Sequence, residues 1–236
     1  MSRWTYHLPI LGYHRVGEFK GDHVPTVSPQ AFEWQLDYLA RHRYQVLSLD
    51  AVVGLLERGG PFPQRCVVIT FDDGYEETHR IAWPLLKARR FPAAVFVTPN
   101  EVGLTGFASW QQVVEMSRDG ITIGSHTMNH VYLPLAQENR LNDEIAGSKR
   151  VIEERISEPI RFLSYPVGGF TPLVSMLARK AGYRAACTTN RSVSGHQLDL
   201  MALRRIKITE RDRNPVLFAA KLSGYYDLFR RLKTPS

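Results

Sequence analysis

Residues 67 to 74 read Val-Val-Ile-Thr-Phe-Asp-Asp-Gly, and this stretch decides the fold class. Its apolar, β-branched half predicts a fully buried strand, because a strand covered on both faces carries apolar side chains in succession. The strand stops at Asp72 and Asp73, two carboxylates that are costly at the end of a buried strand unless a cation lies nearby. The stretch therefore predicts a buried strand that ends in a charged site.

A second apolar segment, Ile121 to Gly124, runs into Ser125-His126-Thr127-Met128-Asn129-His130. One aspartate with two histidines spaced i, i+4 is a ligand set of catalytic zinc-type sites, which keep one position for water. No acidic residue stands beside the histidines, so the pair differs from the His-Glu-x-x-His motif of metallopeptidases. A lone histidine is usually structural, but two motifs at the ends of two strands favour a metal site.

Segments of strand length alternate with helical segments along the rest of the chain. Ser28-Pro29 predicts a helix start, with serine as N-cap and proline at the first helical position. Pro84 predicts a bend or break in the helix from 76 to 90. The alternation predicts an α/β fold whose parallel sheet is curled into a barrel. No linker or repeat divides the sequence, and we expect residues 1–236 to form a single domain.

The composition limits the classes of partner. The formal net charge is +7, yet basic and aromatic residues are not interleaved as in nucleic-acid-binding proteins, so we expect no nucleic-acid partner. Cys66 and Cys187 stand in strand-like apolar segments and outside any Cys-x-x-Cys pair, which favours buried small hydrophobes. A disulfide between them stays open at this stage, because sequence does not give their separation.

No run of the sequence is apolar for long enough to span a bilayer, and residues 1–7 lack the apolar core of a secretory signal. As written the chain is expected to be cytoplasmic, or extracytoplasmic if a leader was trimmed. The segment from Pro215 to Lys233 is apolar with a basic end. We interpret it as a packing helix with a solvated end; contact with an anionic membrane surface is the alternative.

Thr70-Phe71-Asp72-Asp73-Gly74 followed by Ser-His-Thr-x-x-His resembles the polysaccharide deacetylase family (NodB homology, carbohydrate esterase 4). The resemblance extends from Leu8 to Ile208. It includes Ser109-Trp110 and the segment from Phe162 to Gly168. The stretch from Gly12 to Val16 is similar to the branch that deacetylates poly-N-acetylglucosamine-type adhesins, in which the motif order is permuted. The resemblance implies a distorted, NodB-like (β/α) barrel of about seven strands.

The resemblance also implies the roles of five polar residues. Asp73, His126 and His130 would bind a divalent metal; zinc is favoured, and nickel, cobalt and iron are compatible with these ligands. Asp72 would be the general base that accepts a proton from the attacking water. Successive residues of a strand point to opposite faces, so we expect Asp72 and Asp73 to differ in their roles. His14 would be the general acid.

The third family motif is present in its Phe-x-Tyr-Pro-x-Gly form. The resemblance places Tyr165, Pro166 and Val167 at the oxyanion and substrate, where a backbone N–H stabilises the developing charge. Read without the family, Tyr-Pro-Val-Gly-Gly is a turn. The better-known form of this motif carries an arginine where Ser164 stands, which leaves the partner of Asp72 open.

Two further family motifs are altered. The late Leu-x-His motif is Leu203-Arg204-Arg205-Ile206, without a histidine. The permuted branch supplies the acid early, which points to His14; His196, in the late polar loop, is the next candidate. Cys187 to Asn190 replaces a motif that contains aspartate, so the group that orients His14 is open.

The expected function is metal-dependent deacetylation of an N-acetylated glycan. Two alternatives remain at this stage. One is another amide hydrolase on the same scaffold, acting on cyclic amides or formamides. The other is a sugar-binding barrel without catalysis.

Overall fold

The structure is a computed structural model that describes residues 8–18, 24–189 and 199–226. It contains strands and helices in alternation. The strands are β1 (Ile10–Tyr13), β2 (Arg15–Val16), β3 (Thr26–Val27), β4 (Gln45–Val46), β5 (Cys66–Phe71), β6 (Ala94–Val97), β7 (Thr122–Ser125), β8 (Phe162–Ser164), β9 (Ala185–Thr188), β10 (Leu203–Arg204) and β11 (Ile206–Lys207). The helices are α1 (Pro29–Arg41), α2 (Leu49–Glu57), α3 (Trp83–Ala88), α4 (Trp110–Arg118), α5 (Glu138–Asn142), α6 (Ser148–Ile156), α7 (Pro172–Lys180) and α8 (Pro215–Leu222).

Parallel pairing joins the main sheet in the order β10-β9-β8-β7-β6-β5-β1-β11. The two ends of this order meet, because β10 and β11 are halves of one segment that flank Arg205. Leu203 and Arg204 pair with β9, whereas Ile206 and Lys207 pair with β1. The sheet is therefore a nearly closed parallel barrel. The predicted α/β barrel is confirmed, and the split strand counted once gives the expected seven strands around it.

Two apolar clusters form the core. Alternate residues of β5 divide between them: Val67, Ile69 and Phe71 lie in the larger cluster, and Cys66 and Val68 in the smaller. This is the period of two that a strand imposes on its side chains. Besides inward residues of the barrel strands, the smaller cluster contains buried residues of α2, which indicates that α2 covers one end of the barrel interior. The larger cluster packs the strands against the outer helices.

The local signals of the sequence are reproduced. The Ser28 hydroxyl accepts a hydrogen bond from the Ala31 N–H at 3.2 Å, and Pro29 is the first residue of α1. The break expected at Pro84 is a π-helical turn, Thr78–Ala82, directly before α3. A second π-helical turn, Asp143–Gly147, interrupts the long helix between α5 and α6.

Cys66 and Cys187 are buried, and no disulfide joins these two described residues, which answers the question that the sequence left open. The helical expectation for the carboxyl-terminal segment holds over α8, while its basic end at 230–233 lies outside the described residues. Among the residues described, no helix combines the length and the apolar character that crossing a bilayer requires.

Candidate active site and metal centre

A cleft of about 350 Å³ opens where the barrel strands end. Parallel strands place their carboxyl ends on one face, so residues distant in sequence meet there. The residues predicted for the site line the cleft together, with one exception, Pro166. The lining includes His14, Asp72, Asp73, His126, His130, Tyr165, Val167 and Arg205.

Three of these residues bring donor atoms to one point. The Nε2 atoms of His126 and His130 each lie 3.4 Å from Oδ1 of Asp73, and the three donor atoms all lie within 4.8 Å of one another. Oδ1 of Asp73 is buried without a hydrogen-bond partner among the described residues. A buried carboxylate oxygen in that state is costly unless a cation is bound to it. The donor set therefore fits a divalent metal.

The ring of His126 is held in the orientation that a metal ligand needs. Its Nδ1 lies 2.7 Å from the carbonyl oxygen of Ser164. A carbonyl only accepts hydrogen bonds, so Nδ1 carries the proton and the lone pair of Nε2 is available to a cation bound beside Asp73. Burial lowers the pKa of His126, but the two nearby aspartates raise it more, and the net pKa is raised.

Both aspartates face the cleft, which differs from the simple alternation expected for neighbouring strand residues. The strand ends at Phe71, before either carboxylate. Asp73 then adopts a left-handed backbone with φ of 70°, which turns its side chain back towards the histidines. Asp72 and Asp73 therefore both face the cleft, and they differ in the side chains that they contact.

Arg205 is the partner that the sequence analysis missed. Its guanidinium donates to both oxygens of Asp72, at 2.7 and 2.5 Å, and to the hydroxyl of Ser164 at 2.8 Å. Ser164 stands where the better-known family motif has its arginine. Arg205, between β10 and β11, brings a guanidinium to the side chain of Ser164 instead. The available signal was an arginine in a segment otherwise suited to a buried strand, Leu203 to Ile206.

The Asp72–Arg205 pair is deeply buried, with side chains 4% and 1% exposed. Burial raises the pKa of Asp72, but the Arg205 guanidinium and His126 lower it by more than burial raises it. The net pKa of Asp72 is well below its usual range. Asp72 is therefore ionised at neutral pH, as a proton acceptor must be.

His14 follows β1 and approaches the same oxygen of Asp72 as His126, whose Nε2 lies 3.9 Å from Oδ2 of Asp72. Nε2 of His14 is 4.0 Å from Oδ2 of Asp72. Burial lowers the pKa of His14; the two aspartates oppose this effect, yet the net pKa is below its ordinary value. Nδ1 of His14 is buried without a hydrogen-bond partner among the described residues, so the group that orients the ring is still open. His196, the second candidate for the acid, lies outside the described residues.

The third motif forms a tight turn that offers one free donor. The Tyr165 N–H donates to the carbonyl of Cys187 at 3.0 Å, and Pro166 has no N–H. Neither can supply the oxyanion donor expected from the resemblance, and Pro166 does not line the cleft. Val167 lines the cleft with a left-handed backbone, φ 57°, and is 75% exposed. Its N–H is the remaining donor of the three.

Comparison with known proteins agrees with this geometry. The family model for polysaccharide deacetylases matches residues 59–186, which is more than half of the chain. The chain belongs to the polysaccharide deacetylase family. The match covers β5, the two aspartates that follow it and the loop from His126 to His130, and it ends before Arg205.

Individual relatives extend the similarity beyond that match. The YxkH protein of Bacillus subtilis (strain 168) is 30% identical over 86% of this chain and 71% of its own length. The poly-beta-1,6-N-acetyl-D-glucosamine N-deacetylase of Escherichia coli (strain K12) is 30% identical over 52% of this chain, and this covers 21% of that protein. The structure of the Streptococcus pyogenes deacetylase PplD in complex with acetate matches with a TM-score of 0.81 and 25% identity, over 89% of this chain and 96% of that one.

Proposed function

We propose that this member of the polysaccharide deacetylase family is a metal-dependent de-N-acetylase. Its substrate would be an N-acetylated amino sugar within an exopolysaccharide or a cell-envelope glycan, and its products acetate and a free amine. One observation carries the proposal: the donor atoms of Asp73, His126 and His130 converge beside an ionised Asp72 in one cleft. The name of the Escherichia coli relative supports a poly-N-acetylglucosamine polymer.

Asp73, His126 and His130 would hold the metal, for which zinc is favoured and nickel, cobalt and iron are compatible. When bound, such a cation polarises the amide carbonyl and lowers the pKa of water. Asp72 accepts the proton of the water that attacks the acetyl carbon. The Val167 N–H donates to the oxygen on which negative charge develops. His14 gives a proton to the nitrogen as the carbon–nitrogen bond breaks.

We further propose that residues 1–236 act as one deacetylase domain. The support is the pairing of β1 with β11, which joins an early strand to a late one within a single barrel. The partner would be the glycan itself, with no nucleic acid involved. Contact between the basic end of the chain and a membrane remains an alternative that rests on sequence alone.

A sugar-binding barrel without catalysis is the rival function. A site without the motif-three arginine would favour this rival, but Arg205 supplies a guanidinium to Asp72 in its place. The other rival is an amide hydrolase acting on cyclic amides or formamides, which shares the donor set.

The test combines metal analysis with acetate release. The protein should bind one divalent metal and release acetate from β-1,6-linked N-acetylglucosamine oligomers, with no activity on cyclic ureides. Asp73→Ala should lose both metal and activity. A folded, metal-free protein that is unchanged by Asp73→Ala and releases no acetate from any N-acetylglucosamine oligomer would refute the proposal. Activity on cyclic ureides alone would favour the other hydrolase.

A further inference from the structure

Glu144 is a buried carboxylate outside the cleft that holds the loop between the two histidines. It is 2% exposed and lies in the π-helical turn between α5 and α6. One of its oxygens, Oε2, accepts from the backbone N–H groups of Met128 and Asn129, at 3.1 and 3.0 Å. The other, Oε1, accepts from the side-chain amide of Asn129 at 2.8 Å. Three donors from one short loop thus converge on one carboxylate.

The charge of Glu144 is met by these N–H groups alone. Among the described residues, no lysine, arginine or histidine forms an ion pair with it. A buried carboxylate is costly, and it is tolerated where several N–H donors satisfy it. Glu144 is therefore matched to the conformation of residues 128 and 129, because another loop conformation would leave the charge without donors.

The loop that Glu144 holds has an unfavourable backbone. Thr127 and His130, on either side of the two residues that donate to Glu144, adopt left-handed conformations with φ of 67° and 54°. Such conformations are unfavourable for non-glycine residues and persist where the surroundings impose them. The hydrogen bonds of Glu144 offset this cost. The loop has one more contact at Asn129, whose Oδ1 accepts a hydrogen bond from Nδ2 of Asn100 at 2.6 Å.

His130 depends on this loop more than His126 does. The ring of His126 is 1% exposed and is fixed by its own hydrogen bond to Ser164. The ring of His130 is 35% exposed, and within the described part of the chain no hydrogen bond holds it. Its orientation therefore follows from its backbone. Glu144 holds that backbone at the two preceding residues.

We propose that Glu144 is a positioning residue that directs His130 towards Asp73 and so sets the affinity of the site for its metal. This inference rests on the proposed metal centre. The π-helical turn is consistent with it, since such turns are frequent at functional sites and here the widened turn carries the carboxylate that reaches the loop. Glu144 acts only through the loop and does not contact the reacting atoms.

The test measures the dissociation constant for Zn²⁺ of the full chain, by competition with a chromophoric chelator. Glu144→Ala should bind Zn²⁺ about 10–100-fold more weakly, the usual effect of losing a group that orients a ligand. Glu144→Gln should restore most of the affinity, because its amide can still accept from the two backbone N–H groups. The visible spectrum of the Co²⁺ form should change in Glu144→Ala and return towards wild type in Glu144→Gln.

The matched control is Glu153→Ala, on the same helical stretch. Glu153 accepts from Lys149 and from the backbone N–H of Ile160, away from the histidine loop. This variant should lose stability and keep its affinity for Zn²⁺. Since Glu144 acts through His130, Glu144→Ala added to His130→Ala should weaken binding no further.

The outcomes distinguish a failure of the proposed metal centre from a failure of the role proposed for Glu144. If the wild type binds no divalent metal, the proposed metal centre fails. If it binds metal and Glu144→Ala binds equally well, or Glu153→Ala weakens binding as much, only the role of Glu144 fails. Should Glu144→Ala not fold, Asn129→Ala replaces it, because it removes the Oε1 donor at an exposed position. Unchanged Zn²⁺ affinity in Asn129→Ala would then overturn the inference.

Discussion

Arg205 and Asp72 form the central residue pair of the cleft. Arg205→Ser leaves a buried carboxylate without its counter-charge and without two hydrogen bonds. Breaking such a pair costs about 3 kcal/mol or more of folding free energy, and losing an orienting partner lowers activity by about 10–100-fold. Thermal unfolding and acetate release measure the two effects.

A second substitution sharpens this prediction. Nη2 of Arg205 lies 2.8 Å from Oγ of Ser164, so an arginine at position 164 could bring its guanidinium close to Asp72. Ser164→Arg in the Arg205→Ser background should therefore recover part of the lost activity. Full activity of Arg205→Ser by itself would contradict the role given to this arginine.

His14 should affect turnover separately from metal binding. It is not one of the three converging donors, and among the carboxylates its ion-pair distance is to Asp72. His14→Gln should lower turnover by roughly 10²–10⁴-fold, the usual effect of losing a general acid. Its metal content and melting temperature should match the wild type.

The substrate provides the control for His14. Activated esters have good leaving groups and need less help from an acid, so the loss should be milder on them. His126→Ala should instead lose the metal. An unimpaired His14→Gln enzyme would shift the assignment to His196.

At the scale of the element, β7 needs a glycine at position 124, because its neighbours leave no space for a side chain there. A Cβ atom on Gly124 would lie 2.5 Å from Cδ1 of Phe96 and 3.0 Å from the carbonyl oxygen of Phe162. Both neighbours are buried, and the second is backbone. Gly124→Ala should therefore destabilise the protein by about 1–3 kcal/mol through overpacking, measured by denaturant unfolding.

Gly54, inside α2, is the matched control. A Cβ there meets only the end of the flexible Arg58 side chain, at 3.2 Å. Gly54→Ala should leave stability equal or raise it by up to about 1 kcal/mol, because alanine favours helices. Equal stability of both variants would show that β7 has more room than the packing indicates.

Elements were predictable from the sequence wherever a local cause determines them. The strand β5 follows from six apolar or β-branched residues in succession, and α1 from Ser28-Pro29. The two π-helical turns were not predictable in kind, because they arise from how the helices pack. The break of the last strand at Arg205 has the same origin: the segment pairs first with β9 and then with β1.

At the scale of the whole molecule, the cysteines report on global unfolding. Cys66 and Cys187 are buried thiols of the smaller apolar cluster and are not joined by a disulfide. Burial raises the pKa of Cys187 to about 12, so its thiol stays protonated at pH 8. Because the thiolate is the reactive form, the folded protein should resist alkylation. Iodoacetamide labelling followed by mass measurement should show both thiols reacting together, and only under denaturing conditions. Labelling of one thiol in the native protein would contradict this.

The candidate site was predictable only in part, for a reason that belongs to the whole fold. Asp73, His126 and His130 stand in short motifs whose spacing is visible along the chain. Arg205 is 133 positions from Asp72, and only closure of the barrel brings them together. Glu144 was also not predictable from the sequence, because it belongs to no motif and meets the histidine loop only when the helices are packed.

Closure by the last strand also determines when the site is completed. A chain growing from its amino end carries both aspartates and both histidines well before Arg205 is synthesised. Until then Asp72 has no guanidinium beside it, and β1 and β9 each present an unpaired edge. Asp72 therefore gains its counter-charge only after the segment that contains Arg205 has been synthesised and has paired with β1 and β9. A product terminated before Arg205 would contain Asp73, His126 and His130 but would lack the Asp72–Arg205 pair.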